Sequence, residues 1–354
     1  MQNIERRESG CTHVGFRPSE RRLIFAHAIA QPDVTRLFSR LRVPFTSGAL
    51  ALTTACGAGG AAAVARDTVV VYVAASLAQP VRAVADSFTR RTQAVVLLES
   101  GGSLEHARKV TELQRVPDLM VLADHEVFPQ LLMPTHVQYY LQFARNRMVI
   151  AYTARSRFSS EMSAAGWRDV LGRRGVEVGR PDPERAPAGY RTLIVLKLAE
   201  AHYRDPGLAA RVLARSPPRN MRGNAAELAG LLALGELDYI FEYESLARSH
   251  GFRYVTLPRE VDLGDPALAE RYATASVRVT GRTPRDSVTF AGAPILYGLA
   301  VPRQATHGAA AWRFAEFLLG PGKAQLRAAN VDVLDRPRYV PPIVVPATAA
   351  PARP

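Results

Sequence analysis

Two serines stand where chemistry could begin. Ser76 lies near the end of the apolar run VVVYVAASL (69–77), and Ser103 follows QAVVLLE (93–99) through Ser100-Gly101-Gly102. In both places an apolar run gives way to small residues, and a helix is expected directly after. Leu77, Val81, Val84 and Phe88 recur at i, i+4, i+7 and i+11, one face of an amphipathic helix. A second helix is expected over 104–113. The pattern predicts two buried strands, each delivering a hydroxyl to a helix start. Helix N-termini present unpaired backbone N–H groups and a partial positive charge, and both suit an anion. A lone serine at such a place is often only an N-cap. The second copy argues for a ligand, because open α/β sheets bind outside the carboxyl ends of their strands. Two such hydroxyls on consecutive strands can face one small anion.

The elements needed to position them follow along the chain. Asp118–Ala123 (DLMVLA) reads as a third buried strand, with Asp124-His125-Glu126 opening a helix in which Asp124 is a cap. Further strands are expected at 147–153, 176–179, 238–243 and 295–301, and helices at 189–203, 224–234 and 309–319. The alternation points to an α/β fold. A body of roughly 280 residues is large for one core, so two lobes with an interlobe cleft are expected. With crossings near 147–153 and 294–301, lobe 1 takes 67–149 and 298–346, lobe 2 takes 150–297, and 347–354 is a tail.

Composition narrows the function classes. The 354 residues are 47% hydrophobic and 22% charged, ordinary for a folded soluble chain. Net charge is +13, of which residues 1–56 contribute +4. A basic body is compatible with an acidic ligand. The arginines are scattered without a stripe or interleaved aromatics, which argues against nucleic acid. Cys11 and Cys56 are the two cysteines, so the body has no disulfide, thiolate metal site or cysteine nucleophile. No G-x-S-x-G surrounds a serine and no H-E-x-x-H exists, so a catalytic reading finds no support. Residues 37–56, with Arg40, Arg42, an apolar stretch and Cys56, resemble a bacterial lipoprotein signal. Residues 1–36 then read as a disordered tail or a mis-called start, and Gly57–Arg66 as a flexible tether.

The body also carries longer motifs: AASL (74–77), GGSLEHARKVTEL (101–113), FARNRMVIAYT (143–153), PAGYRTL (187–193), ELDYIFEYES (236–245), PILYG (294–298) and PPIVVPA (341–347). In this order they resemble the periplasmic molybdate/tungstate-binding proteins of ABC importers, most closely the archaeal-type tungstate-binding branch. The resemblance implies a type-II periplasmic-binding-protein fold and one oxyanion in the cleft. It implies a monomeric, non-enzymatic, extracytoplasmic receptor without a cofactor, tethered by lipid, that delivers molybdate or tungstate to an ABC transporter permease. A receptor for sulfate or another tetrahedral oxyanion, and a ligand-sensing or enzymatic protein on the same fold, are the alternatives.

Carried over by position, the resemblance assigns the oxyanion to Ser76, Ser103, the backbone at Ala188 and Met221, and Tyr243. Burying a dianion without partners costs tens of kcal/mol. Charge-assisted hydrogen bonds return about 1.5–3 kcal/mol each, so several preorganised donors can offset that without a cation. Arg191 and Arg222 lie within these motifs and are expected either near the site or in a salt bridge or solvated face. Glu242 matches a glutamate that coordinates the metal directly in the archaeal-type branch. The partner aspartate of that branch is replaced by Ala186, with Asp182 and Glu184 nearby, which leaves four- and six-coordinate sites both open.

Overall fold

The computed structural model describes residues 67–341. Cys11, the leader-like segment with Cys56, the tether and the end of the chain lie outside the described residues. The first strand, β1 (Thr68–Ala74), passes through a tight turn at Ala75–Leu77 into α1 (Ala78–Thr92). β2 (Val95–Gly101) leads into α2 (Ser103–Thr111), and β3 (Leu119–Leu122) into a turn carrying Asp124 and His125. β4 (Tyr140–Arg145) follows, and Asn146-Arg147 carry the chain to a second sheet.

There the order is β5 (Met148–Tyr152), α3 (Trp167–Gly172), β6 (Val178–Pro181), α4 (Pro187–Tyr203) and α5 (Leu208–Leu213). β7 (Met221–Arg222), α6 (Ala225–Leu234), β8 (Tyr239–Tyr243), α7 (Glu244–Ser249) and β9 (Arg253–Thr256) complete that layer. After α8 (Ala269–Tyr272) comes an antiparallel hairpin, β10 (Ser276–Thr280) with β11 (Ser287–Ala291). β12 (Leu296–Ala300), α9 (Gly308–Leu319), α10 (Lys323–Ala328) and β13 (Asp332–Val340) then return to the first sheet.

The first sheet has the order β13-β4-β12-β3-β1-β2 and the second β7-β6-β8-β5-β9. β1 pairs in parallel with both β2 and β3, while β12 enters antiparallel between β3 and β4. Parallel central strands covered on both faces read as continuous apolar runs. β1 and β3 show this, with Val69, Val71, Val73 and all of Leu119–Leu122 buried. The predicted helical face holds: Leu77, Val81, Val84 and Phe88 are buried, and α9 sets Phe314 against Phe88 at 5.2 Å between ring centres.

Other expectations change. β2 is an edge strand, not a buried one, and Leu97 on it is 51% exposed. Ser100 and Gly101 belong to that strand. Asp124 opens a turn rather than a helix; a single helical turn comes later, at Phe128–Leu132.

Candidate functional site

The carboxyl ends of strands from both sheets meet over one small cavity. From the first sheet come Ala74–Ser76 after β1, Gly101–Ser103 between β2 and α2, and Ala123 after β3. From the second come Ala186–Ala188 at the start of α4, Asn224 and Ala225 at the start of α6, and Tyr243 at the end of β8. Every lining residue is uncharged. About 20 Å³ is open to the centre of a water-sized sphere, room for one small guest.

Ser103 is the first residue of α2, and no side chain caps that helix. Its Oγ instead accepts the Ala123 N–H at 3.1 Å, across from the end of β3. That bond uses the oxygen and leaves the hydroxyl proton to donate elsewhere. Ser76 sits in the turn after β1, with its hydroxyl beside the Tyr297 phenol. Tyr297 also accepts Asn146 Nδ2 at 2.6 Å, and Asn146 Nδ2 donates to Ser245 Oγ at 2.7 Å. The turn at Ser76 is thus tied to the stretch where the chain passes between sheets. Ala188 is the second residue of α4, within the first turn whose N–H groups have no acceptor inside the helix.

Asn224 and Ala225 are site residues that the sequence reading did not name. Asn224 accepts the Glu227 N–H at 3.1 Å and donates to Glu227 Oε1 at 2.6 Å, a reciprocal cap. The Asn-x-x-Glu spacing was the signal for it. The start of α6 therefore joins the starts of α2 and α4 at the cavity, three positive helix ends together.

The two sides touch directly. The Arg185 carbonyl accepts the Leu104 and Glu105 N–H groups of α2 at 3.2 and 3.3 Å. Arg185 Nη2 reaches Glu105 at 2.8 Å. Gly102 makes this approach possible, since a Cβ there would lie 2.1 Å from the Arg185 carbonyl oxygen.

Behind the cavity lies a buried polar cluster. Arg191, 3% exposed, pairs with Asp124 at 2.9 Å and donates to the Ala123 carbonyl at 2.8 Å and the Tyr243 hydroxyl at 2.6 Å. The Tyr190 hydroxyl also donates to Asp124. Burial works against the Arg191 charge, but Asp124 with Tyr243 and Tyr190 outweighs it and holds the guanidinium above its ordinary value. Burial likewise pushes the Tyr243 phenol up, with Arg191 pulling the other way. Arg191 is the salt-bridged arginine of the two; Arg222 donates to the Arg219 and Met221 carbonyls.

Two of the expected residues lie away from this lining. Met221 pairs with Arg180 on the edge of the second sheet. Glu242, fully buried, follows the strand alternation to the face opposite Tyr243. Its Oε1 accepts the Tyr243 N–H at 2.6 Å, and among the described residues Oε2 has no partner. Asp182 and Glu184 are also engaged elsewhere: Asp182 accepts the Glu184 N–H, and Glu184 accepts the Thr280 N–H. A larger cleft of about 550 Å³ opens beside Asn146, but its charges are largely matched, Arg145 with Asp332, Arg147 with Glu244 and Arg259 with Asp265.

Burial raises the Glu242 carboxyl to about 8, with the Tyr243 N–H opposing. The folded protein therefore holds a proton that the unfolded chain releases near its ordinary value of 4.5. Stability should fall by about 1.4 kcal/mol per pH unit between roughly pH 4.5 and 8 from this group alone. Glu242→Gln should flatten that part of the slope and melt higher than the parent at pH 8, as read by denaturant titration across pH. A slope unchanged by the substitution would show that Glu242 is charged in the folded state.

Comparison with known proteins places the chain. The family model described as bacterial extracellular solute-binding protein matches residues 69–328. An uncharacterized solute-binding protein of Petrotoga mobilis is 38% identical over 274 residues, 77% of this chain and 85% of that one. The molybdate/tungstate-binding protein WtpA of Thermococcus kodakarensis is 33% identical over 300 residues, covering 76% and 83%. Among solved structures, the periplasmic molybdate-binding protein of Azotobacter vinelandii aligns with TM-score 0.56 at 16% identity over 76% of this chain and all of that one. The sulfate-binding protein SubI of Mycobacterium tuberculosis aligns with TM-score 0.53 at 16% identity, covering 76% and 88%. These two likenesses bear on the fold, a type-II periplasmic-binding-protein fold. With the family model spanning most of the chain, this protein belongs to the bacterial extracellular solute-binding protein family.

Proposed function

We propose that this chain is the receptor that captures molybdate or tungstate outside the cytoplasm and hands it to an ABC transporter permease, without catalysing a reaction. The observation that carries this reading is the uncharged cavity into which three helix starts, two serines and a tyrosine converge from both sheets. Its donors are hydroxyls and backbone N–H groups, the chemistry that binds an oxyanion without a counter-cation. Its size suits a single compact guest. Relatives named molybdate/tungstate-binding protein support the choice of oxyanion. Attachment to the membrane through Cys56 belongs to the same reading and rests on the leader-like sequence alone.

The guest is read as tetrahedral. Ala186 lines the cavity where the resemblance expects an aspartate, and neither Asp182 nor Glu184 lines it. A six-coordinate metal would need two protein carboxylates, and no carboxylate lines the cavity. Met221 stays out of the donor set, and Ala188, Asn224 and Ala225 supply the second sheet's share.

Calorimetry of the full chain against molybdate, tungstate, sulfate and phosphate tests the reading. Tight binding of the first two, with sulfate and phosphate weaker by at least about a hundredfold, is the expected result. Ser76→Ala and Ser103→Ala should each weaken binding by about 1.5–3 kcal/mol, roughly 10–150-fold. Equal affinity for sulfate, or serine variants that bind as the parent does, would overturn it.

Gly102→Ala should weaken binding by at least about tenfold, because the added Cβ pushes the Arg185 backbone off α2 and disturbs the cavity wall. A metal-edge absorption spectrum of the loaded protein should show four short oxygens, unchanged in Glu242→Gln. A change in coordination number between the two would place the carboxylate on the metal.

A further inference from the structure

The Arg191 bond to Tyr243 has a direction that matters. A guanidinium has donors only, so at 2.6 Å the Tyr243 oxygen must accept. A phenol carries a single proton, and a bond in which its oxygen accepts leaves that proton free to donate. Among the described residues no acceptor for that proton is found, and Tyr243 lines the cavity while being 1% exposed. The guanidinium is itself held from two other sides, by Asp124 at 2.9 Å and the Ala123 carbonyl at 2.8 Å. A rotation that released Tyr243 would break those contacts as well.

We propose that Arg191 is a positioning residue that commits the Tyr243 hydroxyl proton to the bound oxyanion. The residue acts through the phenol and does not itself touch the guest. It also donates to the Ala123 carbonyl, which helps fix the guanidinium in place. One buried cation, neutralised by Asp124, thereby orients the phenol. A free hydroxyl can turn to donate or accept; one whose oxygen already accepts a fixed N–H presents its proton. An anion that carries no proton of its own gains from such one-way donors, and an anion that must donate does not.

This inference rests on the oxyanion reading above. The test is calorimetry of the full chain with molybdate as the probe, in a cycle of variants. Tyr243→Phe should weaken binding by about tenfold or more. The pair Arg191→Met with Asp124→Asn removes both buried charges together, so neither is left unpaired. It should weaken binding by a similar factor in the Tyr243 background and by less than about threefold further in the Tyr243→Phe background. Tyr190→Phe, which removes another donor to Asp124 but leaves the Arg191–Tyr243 bond, should stay within about threefold of the parent. Losses that multiply across the cycle, or a Tyr190→Phe loss as large as that of Tyr243→Phe, overturn the proposal. Should the pair variant not fold, Arg191→Lys in the two backgrounds gives the same comparison. A parent chain that binds no molybdate overturns the oxyanion reading and this one together; a parent that binds, with multiplying losses, overturns only this one.

Discussion

An anion held in a cavity without a cation must be met by donors that cannot turn away. Backbone N–H groups at a helix start are such donors, because the helix that follows fixes their direction. Here the starts of α2, α4 and α6 and the turn after β1 meet at one point. The rest of the fold serves this convergence. β1 and β2 run parallel and in register, so their ends at Ala74 and Gly101 lie side by side. The second sheet brings its own helix starts from the opposite side, and Gly102 lets the Arg185 carbonyl land on α2. That contact consumes two α2 N–H groups, at Leu104 and Glu105, and leaves the first turn at Ser103 facing the cavity.

The buried Arg191–Asp124 pair fits the same constraint. Burying an ion pair seldom adds much stability, since desolvation removes most of what attraction supplies. Its use here is geometric. The pair joins α4 of the second sheet to the end of β3 in the first, and its guanidinium reaches a cavity-lining phenol and the carbonyl of Ala123. A free arginine in the cavity would attract any anion. A neutralised one behind the wall bonds the Tyr243 hydroxyl and leaves discrimination to the number and placement of donors. The scattered arginines that give the chain its +13 charge do not line the cavity.

Much of the site was legible in the sequence because it obeys local rules. A strand that ends in small residues, a serine and then a helical period describes both β1–α1 and β2–α2, and both serines line the cavity. Asn224 was overlooked although its Asn-x-x-Glu spacing is local too, since the helix was identified without asking what its first turn faces. Glu242 and Tyr243 are neighbours in one motif, yet strand alternation sends them to opposite faces. Motif resemblance carries no such information. The role of Arg191 depends on Asp124, 67 residues earlier, a pairing that periodicity cannot reveal. In the fold, β4 was missed because both its faces are covered and no alternation marks it. β2 was read as buried because its residues are apolar, whereas only its place at the sheet edge leaves Leu97 outside.

Glu242 is the residue that local rules explain least, and its position gives it meaning. It is fully buried and, among the described residues, has no cation beside it and one oxygen without a partner. A carboxylate in that state is costly, and the protonated acid is the form that burial selects near neutrality. A neutral acid at the end of β8 adds no negative charge near a cavity whose donors suit an anion, whereas an ionised one would repel such a guest. The Tyr243 N–H that it engages is then withdrawn from the donor set, which leaves the Tyr243 phenol as that residue's contribution. The burial that keeps Glu242 neutral and the guanidinium that orients Tyr243 thus act on neighbouring residues of one strand toward the same end.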